Sequence, residues 1–163
     1  TGKAVECGQY GEVVFTTLTR QAMPLIRYRT GDIASFSSNP CACGTFLNTM
    51  KKVLGRIENR VRIGEERFLY LRELDEIILP LEEVLDYRGY LDDKERLVLE
   101  VTVKDGIDFT EIKEEVMRSI RNLLSNQSKC GLSVEIVKAA VNEPASITDS
   151  MVKRKIIDYR KER

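Results

Sequence analysis

Several features that point to common classes of protein are missing from this sequence. Lys plus Arg and Asp plus Glu both number 26, so no net charge favours nucleic acid or an anionic membrane as a partner. No apolar run reaches the roughly 18 residues that span a bilayer, and the start has no basic-then-apolar signal. We therefore expect neither a nucleic-acid nor a membrane partner, and we predict a cytoplasmic protein.

Cysteine is sparse and histidine is absent. Cys7, Cys41, Cys43 and Cys130 are irregularly spaced in a chain long enough to fold without disulfides, so free thiols are expected. Cys41 and Cys43 could form a zinc knuckle that Cys7 or residues outside this chain would complete. Their C-x-C spacing is shorter than usual for zinc, and no histidine can complete the site. Cys41 and Cys43 are therefore only weak candidate ligands, and we expect no metal to be bound there. We also expect that folding of the chain requires no cofactor.

The first 54 residues favour a small antiparallel β subdomain. Residues 11–17 are β-branched and aromatic, which predicts a strand. Residues 25–28 and 33–36 are shorter strand candidates on either side of a turn expected at Thr30 and Gly31.

From residue 55 the pattern changes to alternating strands and helices. Apolar residues recur at helical spacing over 71–79, where Pro80 ends the pattern, and residues 97–103 predict a strand. Residues 109–124 carry an apolar stripe that predicts a second helix, opened by a capping box of Asp108 and Glu111.

The fold class that follows is α+β, in two domains. Residues 1–54 form the small antiparallel β part, and residues 55–163 form a β-α-β-β-α-β two-layer sandwich. The change of pattern near Gly55 predicts a joint between them. The acidic run at residues 91–95 is interpreted as a hairpin turn.

One segment has an unusual composition for a loop. In Met-Pro-Leu-Ile-Arg-Tyr-Arg-Thr-Gly-Asp, residues 23–32, two arginines flank an aromatic residue and a Gly-Asp turn follows. The two oxygens of the Asp32 carboxylate match the spacing of neighbouring hydroxyls, so Asp32 could accept both protons of a ribose diol. A β-turn aspartate beside solvated arginines explains the same residues, and composition leaves both interpretations open.

A family resemblance favours the first interpretation. The run GEVVFTTLTRQAMPLIRYRTGD resembles a segment late in the large domain of adenylate-forming enzymes of the phenylacetate-CoA ligase type. The Cys-Ala-Cys-Gly at 41–44 is similar to the C-x-C-G knuckle of that group, and Gly-Arg-Ile-Glu-Asn at 55–59 resembles its Gly-Arg-x-Asp-Asp joint. The order of strands and helices that follows is that of the lid domain. The chain thus resembles the C-terminal part of such a ligase, the end of the large domain plus the lid.

The resemblance implies roles for particular residues. Asp32 would hold the ribose hydroxyls of ATP and of the acyl-adenylate, and Arg56 would bind beside the active site at the joint. Glu58 occupies the position of the hinge acid, which is usually Asp in the family. Gly64 would let the lid backbone approach the pantetheine arm of CoA.

The tail departs from the family pattern. The family has a Gly-Lys pair whose lysine approaches the carboxylate and the α-phosphate, but the ungapped positions here hold Met151 and Val152. A shift of one residue makes Lys153 the candidate catalytic lysine, with Lys155 close by. A solvated surface lysine explains Lys153 equally well.

The resemblance also implies an activity for the parent protein. It would use ATP with magnesium to convert a carboxylic acid, expected to be aromatic, into an acyl-AMP, and would then transfer the acyl group to CoA. The phosphate loop and acid pocket of the family are not in this sequence, so the isolated chain should be inactive. A ligase acting on another acceptor or cofactor without CoA remains an alternative, as does a catalytically silent ligand-binding or dimerisation module. A homodimer is left open.

Overall fold

The computed structural model describes residues 2–64, 67–125, 132–139 and 154–161. The chain divides into two compact units, Thr1–Glu58 and Asn59–Arg163. The division falls within the stretch 55–59 that the sequence marks as a joint. The assignment of 1–54 and 55–163 as separate domains of a ligase stays a prediction.

The first unit contains one three-stranded antiparallel sheet. Its strands are β1 (Gly11–Phe15), β2 (Tyr28–Ala34) and β3 (Gly55–Arg56), in the order β1-β2-β3. The β-branched and aromatic residues of β1 suit a pleated, half-buried strand. The β3 strand is short, but it brings the end of this unit alongside β2.

The turn expected at Thr30 and Gly31 is wrong, because β2 runs through both residues as one strand. The pairing with β1 is instead interrupted by a bulge. Glu12 lies opposite Ile33 and Val14 lies opposite Arg29, so residues 30–32 face a single residue of β1. Gly31 has a φ of +78°, which only glycine adopts without strain, so the extra residues are accommodated without reversing the chain.

The second unit is α+β and contains the predicted β-α-β-β-α-β order together with two further strands. Its elements are β4 (Arg60–Arg62), β5 (Phe68–Tyr70), α1 (Leu71–Ile78), β6 (Val84–Leu91), β7 (Arg96–Val103), α2 (Phe109–Ser125), β8 (Ser133–Lys138) and β9 (Ile156–Asp158), of which β5 and β9 are the additional strands. Strands β6 and β7 are antiparallel, whereas β8 joins β7 and β9 joins β6 in parallel, giving the mixed sheet β8-β7-β6-β9. A separate hairpin pairs β4 with β5.

The acidic run between β6 and β7 is a hairpin turn, as predicted. The Asp92 carboxylate accepts the backbone N–H groups of Lys94 at 2.9 Å and Arg96 at 2.8 Å. These donors, together with the Arg96 guanidinium, hold the pKa of Asp92 below its usual value. The Asp92 carboxylate therefore stabilises the turn through these hydrogen bonds.

At the start of each helix a carboxylate accepts a backbone N–H group. Glu73 reaches back to accept the Tyr70 N–H at 2.9 Å at the start of α1. Asp108 accepts the Thr110 N–H at 2.9 Å before α2, and this bond lowers the pKa of Asp108. Neither helix within the described residues is long and apolar enough to cross a membrane.

A single hydrophobic core lies between the sheet and the two helices of the second unit. Leu74 of α1 and Ile120 of α2 are fully buried against it, and so is Leu99 of β7. Gly89 of β6 allows close packing, because a Cβ there would lie 3.2 Å from Leu99 Cδ2 and 3.6 Å from Leu74 Cδ1. The Leu74 side chain of α1 therefore packs directly against the β6 backbone at Gly89.

We predict that Leu74→Ala destabilises the second unit by about 2–5 kcal/mol, since it removes a fully buried side chain and leaves a cavity. Leu85→Ala is the matched control, because Leu85 is 60% exposed on β6 and its loss should change the free energy of unfolding by less than about 0.5 kcal/mol. Urea unfolding followed by circular dichroism measures both. Equal effects of the two substitutions would contradict this description of the core.

Candidate functional site

Three residues that the sequence singled out come together in the first unit. Strand pairing places Asp32 of β2 opposite Arg56 of β3. Arg56 Nε lies 3.7 Å from Asp32 Oδ1, and Arg56 Nη1 donates to Glu58 Oε1 at 2.9 Å. Arg56 Nη2 also donates to the backbone carbonyl of Thr30 at 3.1 Å. The guanidinium is thereby held between two carboxylates and a strand carbonyl.

The ion pair at the centre of this cluster is long and partly exposed. The separation of 3.7 Å between Asp32 and Arg56 exceeds hydrogen-bond length, so this contact leaves the lone pairs of the carboxylate to other donors. The side chains of Arg56 and Asp32 are 42% and 37% exposed, so their ion pair contributes about 1 kcal/mol at most. A carboxylate that accepts two hydroxyls, beside a guanidinium that pairs with an anion, suits a sugar phosphate.

The bulge that carries Asp32 is held from both strands. Thr30 Oγ1 donates to the Val13 carbonyl at 3.2 Å and accepts the Asp32 N–H at 3.0 Å. On β1, the Glu12 carboxylate accepts Arg29 Nε at 2.7 Å and the Gly31 N–H. Both bonds hold the pKa of Glu12 below its usual value, with the Arg29 bond the larger cause.

These supporting residues were not identified from the sequence. A signal was present, since a threonine two residues before an aspartate is a common local hydrogen-bonding pattern. The Glu12 contact had no comparable signal, because it depends on the bulged register of β1 and β2.

Gly64 lies in the second unit, two residues after the end of β4. It is exposed, and its carbonyl accepts Arg62 Nε at 2.9 Å. Among the residues that the structure describes, a Cβ at this position would come within 4 Å of Arg67 Cβ alone, at an ordinary 3.6 Å. Packing against these residues therefore does not require glycine here, and its role toward CoA stays a prediction.

Lys153 lies outside the described residues, but the chain that follows it is described. Arg154 Nη1 is 3.5 Å from both Asp75 Oδ1 and Asp86 Oδ1, and its guanidinium lies 5.6 Å from the centre of the Tyr87 ring. Tyr87 is 1% exposed and donates its hydroxyl to Asp75 at 2.8 Å; burial is the main cause that raises its pKa. Arg154 thus makes a cation–π contact with a buried tyrosine of the sheet.

A second arginine anchors the other end of β9. Arg160 Nη2 donates to the Arg62 carbonyl at 2.6 Å, and the guanidinium binds both carboxylate oxygens of Asp158, at 2.9 and 3.0 Å. This bidentate geometry fixes the orientation of a guanidinium more strongly than a single bond. Lys155, which lies between the two anchors, is exposed.

The cysteine loop brings two thiols together. Cys43 Sγ lies 3.0 Å from Cys41 Sγ, and its hydrogen bond lowers the pKa of Cys41. Cys7 is exposed and reduced, while Cys130 lies outside the described residues. No group of three or more potential metal-ligating side chains forms in the part of the chain that the structure describes.

Curated relatives are similar to this chain in sequence. It is 35% identical over 124 residues to a phenylacetate-coenzyme A ligase of Thermus thermophilus, covering 72% of this chain and 27% of the relative. It is 28% identical over 151 residues to the enzyme of the same name from Escherichia coli, covering 93% of this chain and 31% of the relative. The chain therefore spans less than a third of the length of these relatives. No protein-family model matches it.

Solved structures share its fold. A 2-hydroxyisobutyryl-CoA ligase in the postadenylation state, in complex with 2-HIB-AMP, matches 97% of this chain and 34% of its own, with a TM-score of 0.66 and 21% identity. An open conformation of that ligase, in complex with 2-HIB-AMP and CoA, matches with a TM-score of 0.63. By its sequence relatives and its fold, the chain belongs to the adenylate-forming ligases of the phenylacetate-CoA ligase type and corresponds to their C-terminal part.

Proposed function

We propose that this chain is the ribose-binding and lid part of an ATP-dependent acyl-CoA ligase of the cytoplasm. In the first half-reaction a carboxylic acid attacks the α-phosphate of ATP, giving acyl-AMP and pyrophosphate. In the second, the CoA thiol attacks the acyl carbon and AMP leaves. The observation that carries the proposal is the Asp32–Arg56 pair on β2 and β3, in a chain related to phenylacetate-CoA ligases.

Asp32 and Arg56 have complementary tasks in this proposal. The Asp32 carboxylate accepts the two ribose hydroxyls, and the Arg56 guanidinium attracts the phosphate side of the nucleotide. Glu58, bonded to Arg56 at 2.9 Å, is the proposed hinge acid. A change at this hinge would alter how Arg56 is shared between Glu58 and Asp32, so the position of the lid and the nucleotide contacts would be linked.

The remaining assignments concern the second unit. Lys153 is the proposed cation for the charge that develops between the acid and the α-phosphate, and Gly64 is the proposed approach to CoA. Magnesium would accompany the phosphates of ATP. The described residues contain no cluster of three acidic or thiol ligands, so none of them is assigned to the metal.

The acid is proposed to be aromatic. The names of the sequence relatives, all phenylacetate-coenzyme A ligases, support this expectation. The 2-hydroxyisobutyryl-CoA ligase is a relative in fold only. A panel of arylacetic, benzoic and short hydroxy acids would separate these substrate classes.

We predict that Lys153→Ala in the whole enzyme lowers acid-dependent pyrophosphate formation by about 100-fold or more, because it removes a charge that acts mainly in the transition state. Thioester formation from supplied acyl-AMP should persist. Lys155→Ala is the matched control, since Lys155 is an exposed lysine of the same tail. If only Lys155→Ala abolished pyrophosphate formation, Lys153 would be the wrong residue. If no acid in the panel supported pyrophosphate formation by the unaltered enzyme, the silent-module alternative would replace this proposal.

We predict that Asp32→Ala raises the KM for ATP by about 10-fold to 100-fold, because it removes charge-assisted hydrogen bonds to the ribose. The KM for the acid should change little. Asp105→Ala is the matched control, as Asp105 is an exposed acid in the loop before α2. Steady-state kinetics with each substrate varied measures both variants. An unchanged KM for ATP in Asp32→Ala would remove Asp32 from the nucleotide site.

A further inference from the structure

One hydroxyl group links the bulge in β2 to two neighbouring backbone groups. Thr30 is half-buried, and its Oγ1 lies 3.2 Å from the Val13 carbonyl and 3.0 Å from the Asp32 backbone nitrogen. The first bond ties the bulge to β1, and the second ties Thr30 to the residue that carries the carboxylate. The Thr30 side chain therefore connects the Asp32 backbone to β1.

We propose that Thr30 is a positioning residue for nucleotide recognition, whose hydroxyl holds the bulge in the one register that presents the Asp32 carboxylate to the ribose. This inference rests on the proposed function of Asp32. It adds a specificity role for a residue that itself touches neither substrate nor reacting atoms.

The physical reason lies in the register of β1 and β2. A slip of one residue in an antiparallel pair moves each side chain to the opposite face of the sheet. Residues 30–32 face a single residue of β1. Gly31, at a φ of +78°, has no side chain that could hold the bulge in place. The Thr30 hydroxyl supplies the restraint that glycine lacks.

Two other contacts of the bulge do not involve the Thr30 hydroxyl. The Thr30 carbonyl accepts Arg56 Nη2 at 3.1 Å, a bond that does not involve the side chain. The Glu12 carboxylate accepts the Gly31 N–H from the β1 side. Loss of the hydroxyl should therefore displace Asp32, while the bond from Arg56 to the Thr30 carbonyl and the bond from Gly31 to Glu12 remain.

The test is the preference of the whole enzyme for ATP over 2′-deoxy-ATP, measured as the ratio of the two kcat/KM values. A carboxylate placed on the diol should make this ratio large, because the deoxy substrate leaves one acceptor oxygen without its donor. Thr30→Val keeps the shape of the side chain but removes the hydroxyl, and it should lower the ratio by about tenfold. Thr30→Ser keeps the hydroxyl and should restore the ratio to within about twofold of the unaltered enzyme.

Controls separate positioning from general damage. Thr102→Val makes the same change on β7 of the second unit and should leave the ratio unaltered. Thermal unfolding reports whether each variant folds, and Thr30→Ala replaces Thr30→Val if the latter does not. A ratio that stays unchanged in the folded variant lacking the hydroxyl, or that Thr30→Ser fails to restore, overturns the role of Thr30. If Asp32→Ala also leaves the ratio unchanged, the proposed function of Asp32 has failed instead.

Discussion

The pairing of β2 with β3 is the constraint on which the site in the first unit depends. It sets Asp32 opposite Arg56 although the two residues are far apart in sequence. Arg56 then collects the Thr30 carbonyl and Glu58 around one guanidinium. Since the ion pair itself is exposed and contributes little energy, the strand register, rather than charge attraction, keeps the carboxylate and guanidinium together.

The two units differ in how many apolar side chains they bury. The second unit encloses its core within its own sheet and helices. Arginines at both ends of β9 bind to neighbouring elements, Arg154 to Asp75 of α1 and Arg160 to the Arg62 carbonyl of β4. The first unit buries few side chains, mainly Ile33, Ala34 and Ser35, and exposes many large apolar ones. Its exposed large hydrophobic residues are Val5, Tyr10, Val14, Phe15, Leu18, Met23, Ile26, Tyr28, Phe36, Phe46, Leu47 and Met50.

Sequence reasoning succeeded where local periodicity decides the structure and failed where pairing decides it. The two helices and the hairpin at residues 92–95 follow from apolar spacing, capping acids and turn residues, all of which are local. The segment 30–32 was expected to turn because Thr-Gly-Asp has turn composition, yet a partner strand on each side keeps β2 extended around a bulge. Asp32 was identified from its neighbours in sequence and a family resemblance. Its contacts with Arg56 could not be, since they depend on long-range register.

We infer that the bulge of β2 presents Asp32 to the ribose of a bound nucleotide. The most direct measurement is a crystal structure of the whole enzyme with a non-hydrolysable acyl-adenylate analogue. We expect both Asp32 carboxylate oxygens within about 3.2 Å of the two ribose hydroxyls, with the Thr30 hydroxyl still bonded to the Asp32 N–H. An adenylate whose ribose is held by another residue, with Asp32 directed to solvent, would contradict it.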